Sequence, residues 1–69
     1  MKITFDKEAD AVYIEFSSGE FDKNKKIDED TIIDLDSKGN ILGIELLNVS
    51  SRISKDFLSD ISVKNLVPA

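Results

Sequence analysis

Hydrophobic and polar positions alternate in the first quarter of the chain. Residues 2–5 set Ile3 and Phe5 on one side. Residues 11–16 set Val12, Ile14 and Phe16 on one side and Ala11, Tyr13 and Glu15 on the other. Period two with β-branched and aromatic residues predicts strands, and the polar run 6–10 between them predicts a turn. A first hairpin is therefore expected over residues 1–17. Its register stays open, because a bulge in the turn would change the pairing.

A second hairpin is expected around Ser37, Lys38, Gly39 and Asn40. A four-residue connection over 37–40 and a two-residue Lys38-Gly39 turn both align Asp36 with Ile41, with Gly39 supplying a positive φ. Ile33 then faces Ile44, Leu35 faces Leu42, and Leu46 extends this apolar row. The opposite face collects Ile32, Asp34, Asp36, Ile41, Gly43, Glu45 and Leu47. Residues 20–30 are nearly all charged, interrupted by Phe21 and Ile27. They predict a loop and a short edge strand near residues 25–28, where lysines discourage stray pairing.

Beyond residue 48 the period changes. Val49, Ile53, Phe57 and Ile61 recur every four positions and Leu58 widens the stripe, which predicts a helix over 50–62. Ser50, Ser51 or Ser54 can cap it, the last placing Asp56 in the first turn. A tail over 63–69 contains Pro68. The expected architecture is a single α+β domain: a small antiparallel sheet of four to five strands, built from two hairpins (1–17, and 22–47 with the edge strand), and one C-terminal helix packed on one face.

Composition narrows the chemistry. The 69 residues include no Cys and no His, which excludes disulfides, a thiol nucleophile, a Ser-His-Asp triad and His- or Cys-ligated zinc. An enzyme is not expected, and no cofactor is implied. A chain this short buries roughly 60% of its unfolded surface, so a partner subunit is the natural source of added stability. Nine basic against fourteen acidic residues leave a net charge of −5, which argues against nucleic acid or an anionic membrane as partner. The start of the chain carries no signal-like core and no apolar run approaches the ~20 residues of a membrane span. A soluble, cytoplasmic protein is expected.

Three candidate sites stand out. From Asp34, the spacing of Asp36, Gly39, Ile41 and Glu45 imitates an EF-hand loop, but Lys38 occupies a ligand position and both flanks look like strands. A simpler metal reading keeps Asp34, Asp36 and Glu45 on one hairpin face, holding Mg²⁺ or Ca²⁺ with waters, against the alternative of solvated charges. Tyr13 with Asp10 or Glu15 can be read as an acid–base pair, or as a ring packed on the sheet whose hydroxyl finds one neighbour. Ile32, Ile41, Leu47 and Tyr13 are interface candidates, because one helix covers only one face of the sheet and a two-fold homodimer buries the other.

Two blocks carry a resemblance. Phe5-Asp-Lys-Glu-Ala-Asp-Ala-Val-Tyr-Ile14 resembles the N-terminal block of a prokaryotic family, domain of unknown function 2283. Asp34-Leu-Asp-Ser-Lys-Gly-Asn-Ile-Leu-Gly-Ile-Glu-Leu-Leu47, followed by Ser50, resembles its second block. The similarity runs from residue 1 to about residue 53, with Phe5 where tyrosine is more frequent and Val49 where alanine is usual. It implies a small free-standing bacterial or archaeal protein and carries over no activity and no catalytic residue. It also suggests small toxin-like neighbours.

Three readings follow from the residues and the resemblance together. The first is a non-enzymatic module that forms a homodimer and binds another protein. The second is a divalent-cation-binding acidic patch on the second hairpin. The third is an antitoxin-like partner of a small neighbouring protein.

Overall fold

A computed structural model describes residues 1–60, apart from the Phe57 side chain. Five strands form one antiparallel sheet: β1 (Lys2–Asp6), β2 (Ala11–Glu15), β3 (Lys23–Asp28), β4 (Thr31–Leu35) and β5 (Ile41–Leu47). Their order across the sheet is β1-β2-β5-β4-β3. The two hairpins expected from alternation are therefore joined through their later strands, β2 against β5. The charged segment supplies the edge strand β3, all six of whose residues are exposed. Among the described residues no helix is long and apolar enough to cross a membrane.

Register assigns the faces, since directly opposed residues in an antiparallel pair share one. One apolar row runs Ile3, Ile14, Ile44 and Ile33, and another runs Phe5, Val12 and Leu46 to Thr31. The reverse face carries Thr4, Ala11, Tyr13, Glu15, Ile32, Asp34, Gly43, Glu45 and Leu47. Burial is thin for a chain with 41% hydrophobic residues. Among the described residues the only buried hydrophobic side chains are those of Val12, Leu42 and Val49.

The second hairpin closes with a turn length between the two that the pattern allows. Asp36 N–H donates to Asn40 O at 3.0 Å and Gly39 N–H to Asp36 O at 3.1 Å, with Gly39 at φ 84°. This is a three-residue connection ending in a left-handed glycine. Asp36 therefore meets Asn40 and not Ile41. Leu35 lies opposite Ile41 and not Leu42, while Ile33 opposite Ile44 and Asp34 opposite Gly43 are as expected. Leu42 is the extra residue of the resulting bulge between the Asp34 and Leu35 pairings. Its carbonyl accepts both Phe16 N–H (2.8 Å) and Ser17 N–H (3.2 Å), and its side chain is buried beside Gly19.

The C-terminal segment is not the continuous helix predicted over 50–62. It forms two short helical turns, α1 (Val49–Arg52) and α2 (Lys55–Ser59), separated by extended Ile53 at φ −130°, ψ 135°. The serines explain the break, because hydroxyls near a short helix compete for its backbone; Ser51 Oγ donates to Asn48 O at 2.9 Å. Leu58 N–H donates to Ser54 O at 3.1 Å, which makes Ser54 the residue that opens α2, with Asp56 in its first turn. A hollow of about 630 Å³ lined by Phe5, Lys7, Asp10, Lys55 and Leu58 lies between α2 and the Phe5 end of the apolar face. The remainder of the predicted helix and the tail lie outside the described residues.

Candidate functional site

Glycine at position 43 creates the centre of the reverse face. A Cβ there would meet the Tyr13 hydroxyl, Tyr13 Cζ at 2.6 Å and the Ile14 carbonyl oxygen at 2.7 Å. Only a residue without a side chain lets the Tyr13 ring cross β5 diagonally. The phenol thereby comes close to Asp34 on β4, which lies opposite Gly43. Burial, then the charge of Asp34, then that of Glu15 raise the Tyr13 pKa above its ordinary value. The hydroxyl stays protonated at neutral pH and acts as a donor.

Glu45 completes the cluster. It lies opposite Tyr13 on one side and Ile32 on the other. Burial raises its pKa first, and its hydrogen bond to Asp34 and the charge of Asp34 raise it further. Asp34 Oδ1 is buried and, among the described residues, has no hydrogen-bond partner. Among the described residues, the adjoining hollow of about 340 Å³ is lined by Thr4, Asp6, Ala11, Tyr13, Glu45 and Leu47 and has no cationic side chain in its wall.

Asp36 is not part of this cluster. Its carboxylate accepts Lys38 N–H (2.9 Å), Asn40 N–H (2.9 Å) and Asn40 Nδ2 (3.0 Å) at the hairpin tip. The Asn40 side chain, followed by the Asn40 backbone, holds the Asp36 pKa below the usual carboxylate value. The expected trio of Asp34, Asp36 and Glu45 is thus split, and strands replace the helices an EF-hand needs. Among the described residues no three acidic, His or Cys side chains are grouped to hold a metal ion.

The interface set is also divided. Tyr13, Ile32 and Leu47 share the reverse face. The bulge sets Ile41 opposite Leu35, away from that row, and leaves it 44% exposed. Tyr13 pairs with neither Asp10 nor Glu15 as acid and base: Glu15 acts on it by charge alone, and Asp10 is engaged elsewhere.

That engagement went unread in the sequence. Asp10, at φ 52°, accepts Ser50 N–H at 3.1 Å and Ser50 Oγ at 2.7 Å, and its carbonyl accepts Val49 N–H at 3.1 Å. The start of α1 is capped from the first hairpin, 40 residues away, and not by its own serines. At the opposite flank Arg52 donates to Asp30 O (2.7 Å), Leu47 O (3.3 Å) and Thr31 Oγ1 (2.9 Å). Asn48, also at φ 52°, donates from Nδ2 to Asp30 Oδ1 at 2.7 Å. Asp and Asn are the residues that best tolerate left-handed backbone, which is the one signal their positions carried.

The family profile described as Protein of unknown function (DUF2283) matches residues 2–50. The chain belongs to the DUF2283 family. The matched DUF2283 region holds all five strands, the Tyr13–Asp34–Glu45 cluster and both partners of the Asp10–Ser50 tie. No curated protein and no solved structure matches this DUF2283 chain.

Proposed function

We propose that this DUF2283 protein is a non-enzymatic interaction module that works as a homodimer and presents its sheet to a protein partner. The observation that carries the reading is incomplete burial. Among the described residues Ile3, Phe5, Ile14, Ile33, Leu35, Ile44 and Leu46 keep part of their surface exposed, and only three hydrophobic side chains are buried. A small sheet in that condition gains stability from a second copy. The missing His and Cys support a role without catalysis.

Light scattering at tens of micromolar tests the reading. A mass of about twice the 7.7 kDa chain is expected. A monomer mass across that range overturns the homodimer.

A further inference from the structure

The two edges of the sheet differ. Edge β3 carries Lys23, Lys25 and Lys26 and an irregular register between Lys26 and Asp28, features that block edge-to-edge pairing. Edge β1 has one lysine, Lys2 at its first position, and no irregularity of register. It pairs in an unbroken register with β2 and, among the described residues, with nothing on its other side.

We infer that β1 is the dimer seam: two copies pair antiparallel about a two-fold axis at Thr4 and merge their sheets into one of ten strands. The inference rests on the homodimer reading and names its surface. It comes from the order Lys2-Ile3-Thr4-Phe5-Asp6. Reversed against itself about Thr4, this strand sets Lys2 opposite Asp6 of the second copy, Ile3 opposite Phe5, and Thr4 opposite Thr4. Each is a favourable cross-strand pair: opposite charges, aliphatic against aromatic, and hydroxyl against hydroxyl.

Lys2, Thr4 and Asp6 are exposed and share the Tyr13 face, whereas Ile3 and Phe5 are half-buried on the apolar face. An axis perpendicular to the sheet keeps like faces together. The row Ile3, Ile14, Ile44, Ile33 of one copy would then continue into Phe5, Val12 and Leu46 of the other. The seam therefore satisfies backbone groups and covers Ile3 and Phe5 at once.

The chain contains no cysteine, so Thr4→Cys introduces a single thiol on the proposed axis. Directly opposed strand residues lie within the Cα separation a disulfide requires. Under mild oxidation at about 10 μM, most Thr4→Cys chains are expected to migrate as disulfide-linked dimers, while Asn24→Cys, equally exposed on β3, stays largely monomeric under denaturing conditions. Lys2→Asp is expected to weaken association about tenfold, because two attractive pairs become repulsive. Adding Asp6→Lys restores it. A parent that is dimeric while Thr4→Cys links no faster than Asn24→Cys overturns the β1 seam and leaves self-association standing. A monomeric parent with no preferential linking of Thr4→Cys overturns both.

Discussion

Replacing Gly43 by alanine probes the packing on which the reverse face depends. The added methyl would stand 2.6 Å from Tyr13 Cζ and 2.7 Å from the Ile14 carbonyl oxygen, with the Tyr13 hydroxyl also too close. The phenol can swing aside, but the carbonyl belongs to the β2–β5 ladder and yields only if the strands part. Overpacking of this kind costs ~1–3 kcal/mol. Reduced freedom of the unfolded chain returns ~0.4–1 kcal/mol, leaving a net loss of about 1–2 kcal/mol. For a domain this small that lowers Tm by about 5–15 °C. Thermal unfolding followed by circular dichroism reads it. Tyr13→Ala separates the two causes: in that background Gly43→Ala is expected to cost less, with only the carbonyl contact remaining, giving a coupling of at least ~0.5 kcal/mol. A Gly43→Ala protein melting within a degree of the parent, or strictly additive variants, would refute the crossing of Tyr13 over β5.

Asp10→Ala removes the distant cap of α1 and is expected to destabilise by ~1–2 kcal/mol in urea, whereas Asp10→Asn, which tolerates the same backbone and still accepts hydrogen bonds, recovers most of it. Titration pulls stability in two directions. The pKa of Glu45 is raised, so the stability linked to its proton is complete below the unfolded value of about 4.5 and falls as pH rises through the folded value. Asp36 and Asp28 are lowered, Asp28 first by the Asp30 N–H, so their stabilisation is present above the unfolded value near 4 and disappears as pH falls through the folded values. Tm is therefore expected to peak on the acidic side of neutrality. Glu45→Gln should flatten the alkaline limb and raise stability at pH 7 by about 0.5 kcal/mol, the small end of such effects because the cluster is open to solvent. Asp36→Asn should flatten the acid limb. A Tm that climbs steadily from pH 4 to 8 contradicts the Glu45 assignment. Millimolar Ca²⁺ or Mg²⁺ is expected to leave Tm unchanged to within a degree, and a saturable rise abolished by Asp34→Asn would establish an ion site.

Alternation made both hairpins legible, down to Ile33 against Ile44 and Asp34 against Gly43, because one flank of each strand is apolar and a slip would expose it. The hairpin tip was less legible. Two turn lengths were compatible with the same residues, and the grip of Asp36 on Lys38 and Asn40 selects a third, which displaces Ile41 and creates the Leu42 bulge. Periodicity marked residues 50–62 as helical but could not weigh the local pull of three serines, which ends α1 after four residues. The acidic face was read correctly for Asp34 and Glu45. The diagonal reach of Tyr13 was not, since a side chain crossing a neighbouring strand leaves no trace in spacing. The ties of Asp10 to Ser50 and Arg52 to Asp30 join positions far apart in sequence, where no local rule operates.

The Asp10–Ser50 tie also orders events during synthesis. The first hairpin can close as soon as residue 15 is available, yet its turn leaves a carboxylate and a carbonyl without their final partners until residues 49 and 50 exist. Because β5 inserts between the β1–β2 pair and the β3–β4 pair, the ribosome must deliver nearly the whole described chain before any central pairing forms. Nascent chains halted upstream of residue 41 should therefore expose two separate, protease-sensitive ribbons, and resistance should arrive in a single late step.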